Sequence, residues 1–536
     1  MQDLEAITNV DHLRDLARVY QRQVALLVAR IGELTRELAA LRSQDGQEAI
    51  QLELEQLTRE LKALQESHPP EGPRGRGEPR SRSKPQTGHG PTAQPKLPTQ
   101  ESLHLLDEPD QTCPSCGGEL EPFEGQFETS EEITYEPPKI TLLVHKRQKY
   151  VCSCGGCVDT ALGPVKLIPG GRYSVAFATA VAGEKYLDHL PLERQVRRFG
   201  RQGLEVTAQA LFDQLWAAAQ VLLPTYGALF ERLRKESVLY LDDTGWKMMK
   251  PHDVASWHLW NLNAGRVSWY TLSSTKGAPV VNLLLGNYAG IVVGDGAPAY
   301  TSVQKDGGRG TDVDAFQIIT PGGELRSLRS ADLVMEPAPF RLGHCWAHVQ
   351  RKFRDASKNF YRHARAFMDQ VKLLYQLEDQ ATATAKARAG PDATAAELHA
   401  LLLQVRREVR DTQSRPITQA MLDWLKTPRA LPRSALGQAI AYALGRWKGL
   451  TLFLDHPEML LDNNRSERAL RGPVVGRKNF AGCRSERGAL VAAVFYSLFE
   501  TAKLCGVDPV AYVHRAVECA LLEPGAVTLP EPLLGS

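Results

Sequence analysis

Val238-Leu239-Tyr240-Leu241-Asp242-Asp243-Thr244 is the stretch on which the reading of this chain turns. Four apolar residues of strand type run straight into a pair of acids. Next come an alternating apolar run (256–262), a turn (263–266) and a second run (267–272), which spell strand, hairpin turn, strand. Residues 277–286 have a helical pattern. Ile291-Val292-Val293-Gly294 then runs into Asp295-Gly296. Two apolar strands thus each end in Asp, and as neighbours in one sheet they would bring Asp242 and Asp295 to the same edge.

A third acid lies far downstream. In Leu461-Asp462-Asn463-Asn464-Arg465-Ser466-Glu467-Arg468-Ala469-Leu470-Arg471, the Asp and Asn residues suit a helix N-terminus and the rest suit its body. Glu467 falls in the first turns of that helix. Carboxylates converging from two strand ends and a helix can hold two Mg²⁺ about 4 Å apart, the arrangement that serves phosphodiester chemistry. Oxygen donors suit Mg²⁺ or Mn²⁺. An Asp at a strand end, taken alone, more often caps a turn; the ordered triplet and its basic surroundings carry the argument. Arg465, Arg468, Arg471, Arg477 and Lys478 crowd around Glu467, as contacts to DNA phosphates require. A solvated helix face is the plainer reading of the same charges. His348, Arg351 and Lys352, in the segment 343–353, form a further basic element at helical spacing.

Cysteine is concentrated. Of nine Cys, five sit in one window: Cys113 and Cys116 in a CxxC knuckle, then Cys152, Cys154 and Cys157. Four thiolates around one ion make a closed, structural Zn²⁺ site. Cys154 with Cys157 has the usual spacing, and Cys152 with Cys157 is the alternative. Residues 132–150 alternate as a hairpin between the two halves, so residues 101–170 are expected to form a zinc ribbon.

Around these units the chain is punctuated clearly. Leu13, Leu16, Tyr20, Val24, Leu27, Ile31, Leu34, Leu38 and Leu41, then Leu54, Leu57, Leu61 and Leu64, repeat at steps of three and four. Residues 1–68 therefore read as a coiled coil, suited to homo-oligomerisation. Residues 69–100 are rich in Pro, Gly and basic side chains and read as a disordered basic linker. Residues 171–236 are helical. Within them Arg194, Arg197, Arg198 and Arg201 stud a helix, Gly turn, helix pattern, either a DNA-reading helix-turn-helix or an ordinary helical hairpin. Residues 237–300 switch to strand periods, residues 344–450 return to helix, and residues 456–522 read as a basic turn and then an apolar helical tail.

Composition sets the outer limits. Lys plus Arg number 64 and Asp plus Glu 62, a net charge of +2, so any nucleic-acid binding must come from local patches. Apolar residues make up 43% and charged residues 24%, as in globular proteins. No uncharged apolar run of spanning length and no leader pattern is visible. With sparse cysteine outside the cluster, this suggests a cytoplasmic protein with no membrane partner.

Five segments together resemble the large transposase of insertion sequence 66 elements. They are Cys113–Cys157, Asp242–Trp246, Gly294–Tyr300, Gly343–Phe353, and Asp462–Arg471 with Gly476–Asn479. The resemblance covers nearly the whole chain, in the same order. It implies an α/β fold with a ribonuclease-H-like core and a divalent-metal-dependent DDE transposase that cuts element ends and joins them to target DNA. It places the three acids at Asp242, Asp295 and Glu467. Asp243 stands where that family usually has Glu. The resemblance further implies a catalytic unit over 237–480 whose long gap from Asp295 to Glu467 holds a helical insertion at about 355–450, then a helical tail over 481–536. Residues 304–336, longer and more Gly-rich than the family pattern, are expected to be a surface insertion. The resemblance also implies small accessory proteins as partners.

Overall fold

The computed structural model describes residues 139–533 apart from 152, 154–156, 251–252, 309–314, 330–332, 334–335 and 428–429. The expected coiled coil, the basic linker and Cys113, Cys116, Cys152 and Cys154 lie outside the described residues.

A two-stranded antiparallel pair comes first, β1 (Lys149–Val151) with β2 (Val158–Thr160). The described part of the expected hairpin over 132–150 contributes only β1: residues 139–148 form no strand, though Ile140 packs on the core and Gln148 O accepts from Ala161 N–H (2.9 Å). The pairing instead brackets the 152–157 cysteine cluster: Val151 opposite Val158 closes the ladder just outside it. Four helices follow: α1 (Val175–Tyr186), α2 (Leu192–Arg201), α3 (Ala208–Val221) and α4 (Leu223–Leu233). Ser174 and Thr207 cap α1 and α3, their hydroxyls accepting from Phe177 N–H (3.2 Å) and Ala210 N–H (3.1 Å).

The central sheet has seven strands in the order β8-β7-β5-β4-β3-β6-β9. Its strands are β3 (Val238–Lys250), β4 (Asp253–Ala264), β5 (Val267–Ser273), β6 (Ile291–Gly294), β7 (Phe316–Ile319), β8 (Leu325–Leu328) and β9 (Arg341–His344). The strands β3, β4 and β5 form an antiparallel meander, whereas β6 and β9 run parallel to β3. Between them lie α5 (Ala278–Leu285) and α6 (Pro298–Asp306).

Two expectations are corrected here. β3 does not end at Asp242. It pairs with β4 from Tyr240 to Lys250 and carries both acids in mid-strand. Beyond the short β6, its other edge is taken by Cys483, through Met249 N–H to Cys483 O (2.8 Å) and Cys483 N–H to Lys247 O (3.0 Å). Nor is the 304–336 region only surface. Within it β7 and β8 extend the sheet, and Phe316, Ile318 and Ile319 are buried.

After β9 the chain is helical: α7 (Trp346–Ala356), α8 (Tyr361–Ala389), α9 (Ala395–Val409), α10 (Arg415–Lys426), α11 (Ala435–Gly445) and α12 (Trp447–Leu450). A π-helical turn, Arg410–Ser414, joins α9 to α10. Three further helices follow: α13 (Asn464–Phe480), α14 (Glu486–Cys505) and α15 (Pro509–Leu522).

The pleat divides the apolar side chains between two cores. Leu239, Leu241 and Val292 face α1, α3, α4 and α14. Val238, Tyr240, Ile291 and Val293 face Trp346, Phe353, Phe367 and the helical segment beyond. α14 is long and apolar enough to cross a membrane by length and composition, but most of it is buried in the first core. There Ser497 and Thr501 accept hydrogen bonds from Tyr270 N–H (2.9 Å) and Ser268 N–H (3.1 Å), covering the free edge of β5.

Candidate active site

Tyr240 on β3 and Val293 on β6 are partners in the parallel ladder. Asp242 and Asp295 each lie two residues further on, so the same register places them side by side. Asp242 keeps the pleat parity of Val238 and Tyr240, on the sheet face that carries α7, whereas Asp295, just past the end of β6, also borders the cleft on the Asp243 side. Asp295 follows the end of β6, where its Oδ1 accepts from Ala297 N–H (2.9 Å) and turns the chain into α6. Gly296 completes this turn with φ of +77°. A Cβ there would also stand 2.7 Å from Arg446 Nε.

Glu467 comes to the same face on the first turns of α13. Its Oε1 lies 3.8 Å from His348 Nε2 and 3.6 Å from Arg351 Nη2, both on α7. The helix is tied to β3 by a contact the sequence reading did not foresee. Asn463 occupies the N-cap position but makes no side-chain cap. It is fully buried, and its Nδ2 donates to Leu241 O (3.0 Å), one residue before Asp242. Asp462 Oδ1 instead accepts from Asn464 N–H (3.1 Å). The Asp-Asn-Asn sequence therefore anchors this helix to the sheet as well as starting it.

Electrostatics register the convergence. Burial, and then the charges of Asp295, Asp243 and Glu467, push the Asp242 carboxyl up to about 7, against the Asp243 N–H that donates to its Oδ1 (2.9 Å). Asp243 points to the other side of the strand. Its Oδ2 lies 2.8 Å from His258 Nδ1 on β4, and with Asp295, Lys276, Trp260 and Tyr300 it lines a cleft of about 300 Å³. Burial lowers the His348 pKa, Glu467 partly opposing it. His344 is pushed down to about 4 by burial and by Arg446.

The acids whose charges act on Asp242 make, with it, an all-oxygen set whose mutual repulsion a divalent cation would relieve. In this donor chemistry the residues fit Mg²⁺ or Mn²⁺. Among the described residues, no three His, Cys, Asp or Glu side chains are already grouped to hold one ion.

The basic residues named from sequence divide by environment. On α2, Arg194, Arg197 and Arg201 are exposed, whereas Arg198 is half-buried and ion-paired with Glu184. On α13, Arg468, Arg471 and Lys478 are exposed. Arg465 is half-buried, and Arg477 Nη1 donates to Thr244 Oγ1 (3.0 Å) beside the acids. Arg351 and Lys352 are exposed, and His348 is half-buried. Cys157 is exposed. Two residues near the acids escaped the sequence reading. The Tyr442 hydroxyl donates to Asp295 O (3.4 Å), and Arg446 Nη2 donates to Gly296 O (3.1 Å). Both lie in or just after an apolar helix with no motif around them.

The family model "Transposase IS66 family" matches residues 170–490, more than half of the chain. The model "zinc-finger binding domain of transposase IS66" matches residues 110–155. Among curated relatives, the uncharacterized protein y4hP of Sinorhizobium fredii (strain NBRC 101917 / NGR234) is 26% identical over 439 residues, 77% of this chain and 71% of that protein. The uncharacterized protein y4jD of the same strain is 25% identical over 430 residues, 77% of this chain and 75% of its own length. A family match that spans the sheet, the three acids and the helices between them leads to one conclusion: the chain belongs to the IS66 family of transposases.

Proposed function

We propose that this chain is a DDE-type transposase that cuts the ends of its element and transfers the freed 3′ strands into target DNA. The observation that carries the reading is the parallel pairing of β3 with β6, which brings Asp242 beside Asp295 just past the end of β6, with Glu467 carried close to both by α13. The order β5-β4-β3-β6-β9, an antiparallel meander followed by two parallel strands, supports a ribonuclease-H-like core.

Asp242, Asp295 and Glu467 would hold Mg²⁺ or Mn²⁺. Such ions, when bound, would acidify the attacking water or 3′-hydroxyl and take up charge on the phosphoryl oxygens. The protein's own groups do the rest. Asn463 fixes the height of Glu467 against β3. His348 and Arg351 hold the Glu467 carboxylate toward α7, and Arg351 stays exposed to meet a phosphate. Asp242 is the better metal ligand of its pair, because Asp243 is engaged by His258.

Arg194, Arg197 and Arg201 on α2, and Arg468, Arg471 and Lys478 on α13, are the surface cations offered to DNA. The cysteine cluster would hold a structural Zn²⁺, and residues 1–68 would join copies of the chain. Accessory proteins encoded by the element remain candidate partners. The test uses DNA from the borders of the gene. Mg²⁺-dependent nicking and joining by the wild type, lost in Asp295→Ala and Glu467→Gln, is the expected result. Nicking without joined products would make the chain a nuclease of this fold. DNA binding without either would make it a non-catalytic DNA-binding protein.

A further inference from the structure

The segment between β9 and α13 is more than a spacer between the second and third acids, because the end of α11 reaches back to the Asp295 loop. Tyr442 and the residue just beyond α11, Arg446, both bond to the main chain there, at Asp295 O and Gly296 O. The Arg446 guanidinium carbon lies over the Tyr442 ring, 3.9 Å from its centroid. Lys352 Nζ lies 5.7 Å from the same centroid. Arg351, its neighbour on α7, stands beside Glu467.

Arg446 is a cation with capacity to spare. It has five N–H donors. One meets Gly296 O, and Nε is buried with no hydrogen-bond partner. Among the described residues it meets a carbonyl and an aromatic face and is ion-paired with no carboxylate. Two neighbouring buried nitrogens, His344 Nδ1 and His348 Nδ1, also lack partners. A planar, permanently charged fork held by stacking, beside a set of acids built for phosphodiester chemistry, is what a phosphate oxygen would fill.

From this geometry we infer that Arg446, stacked on Tyr442 and continued by Lys352, is a phosphate-binding site for the backbone of the DNA strand lying across the Asp295 loop. The inference rests on the transposase reading for the identity of the DNA, and on the local contacts for the cation and its orientation. Arg446 then does two things. It holds the Gly296 carbonyl, and it presents its remaining donors to a phosphate next to the reacting one.

The experiment measures binding of full-length protein to duplexes carrying the element end, without relying on cleavage. Wild type, Arg446→Gln and Arg446→Lys are titrated across a range of salt. The duplexes are either unmodified or carry one neutral methylphosphonate at successive positions around the cleavage point. Arg446→Gln is expected to bind about tenfold more weakly and to lower the salt slope by about one. One methylphosphonate position should weaken the wild type by a similar factor and leave Arg446→Gln unaffected. Arg446→Lys keeps the charge and should keep the wild-type slope, which also serves if the Gln variant folds poorly. If Arg446 served only to support the loop, Arg446→Gln would change the Mg²⁺ dependence of nicking while leaving affinity, slope and methylphosphonate response at wild-type values. That result overturns the inference. A Lys variant with the Gln variant's slope would also overturn it. Wild-type protein that binds ends but fails to nick them removes the transposase reading and leaves the phosphate site standing. Wild-type protein that binds no DNA removes both.

Discussion

Asp242 and Asp295 stand side by side because Tyr240 and Val293, two residues before each, are paired in the parallel ladder of β3 and β6. The 52 residues 243–294, meander and helix, separate the acids in sequence, yet one register brings them together. Slipping it by one residue would turn one carboxylate to the opposite face.

That placement predicts unequal roles within the Asp242–Asp243 pair. Asp242→Asn and Asp295→Ala should each lower nicking by at least about a hundredfold. Asp243→Asn should retain most of it, since Asp243 faces His258 on the other side of the strand. Single-turnover cleavage of end DNA checks this. The reverse ranking would move the metal ligand to Asp243.

The raised pKa of Asp242 predicts a pH signature in metal-free protein. Its folded value, about 7, lies above the ordinary 3.8, so the folded state holds a proton that the unfolded chain has released between those values. This group's contribution to stability is therefore lost as pH rises from about 4 to about 7. Asp242→Asn should remove that loss and stabilise the metal-free protein at pH 8 by about 1–3 kcal/mol. Near pH 4 the gain should vanish. Added Mg²⁺ should narrow the difference by stabilising only the wild type. Thermal melts across pH with and without Mg²⁺ measure it.

Arg410 predicts how the helical segment supports Glu467. This fully buried guanidinium binds Glu378 in a fork at 2.7 and 2.8 Å. It also donates to the carbonyls of Phe453 (2.7 Å), His456 (2.9 Å) and Met459 (2.9 Å), in the loop that leads into α13. Arg410→Ala would leave three carbonyls short of a donor and Glu378 with only Arg406 (3.1 Å) of its two guanidinium partners, at a cost of about 3 kcal/mol. Hydrogen exchange should rise in residues 453–463 first, and nicking should fall with it. An unchanged exchange pattern would show that the loop is held by its other contacts.

The cysteine cluster predicts one tightly held zinc per chain by elemental analysis. Cys113→Ser and Cys116→Ser should each lose it. Of Cys152→Ser, Cys154→Ser and Cys157→Ser, two should lose it and one should retain it, which identifies the fourth-ligand choice that spacing leaves open. Retention in all five variants would remove the zinc reading.

Much of this protein is determined locally and so was legible in its sequence. Apolar runs at Val238–Leu241 and Ile291–Val293 read as strands because a strand buried on both faces must be apolar throughout. The turn at Gly265-Arg266 was visible because Gly265 adopts φ of +51°, which Gly takes without strain. The three acids stood out by their order and their basic neighbours.

Other features were decided only by tertiary structure. Local propensity read Asp242-Asp243-Thr244-Gly245 as a strand end, yet pairing with β4 and the late arrival of Cys483 carry β3 on to Lys250. Asn463 looked like a helix cap until the Leu241 carbonyl took its amide. Arg446 and Tyr442 carry no motif at all. Their meaning comes from a chain that travels through five helices and returns to the Asp295 loop. Sequence specifies which side chains can do chemistry, because propensity and spacing act over a few residues. Which of them meet depends on strand register and helix return, and those depend on the burial of the whole sheet.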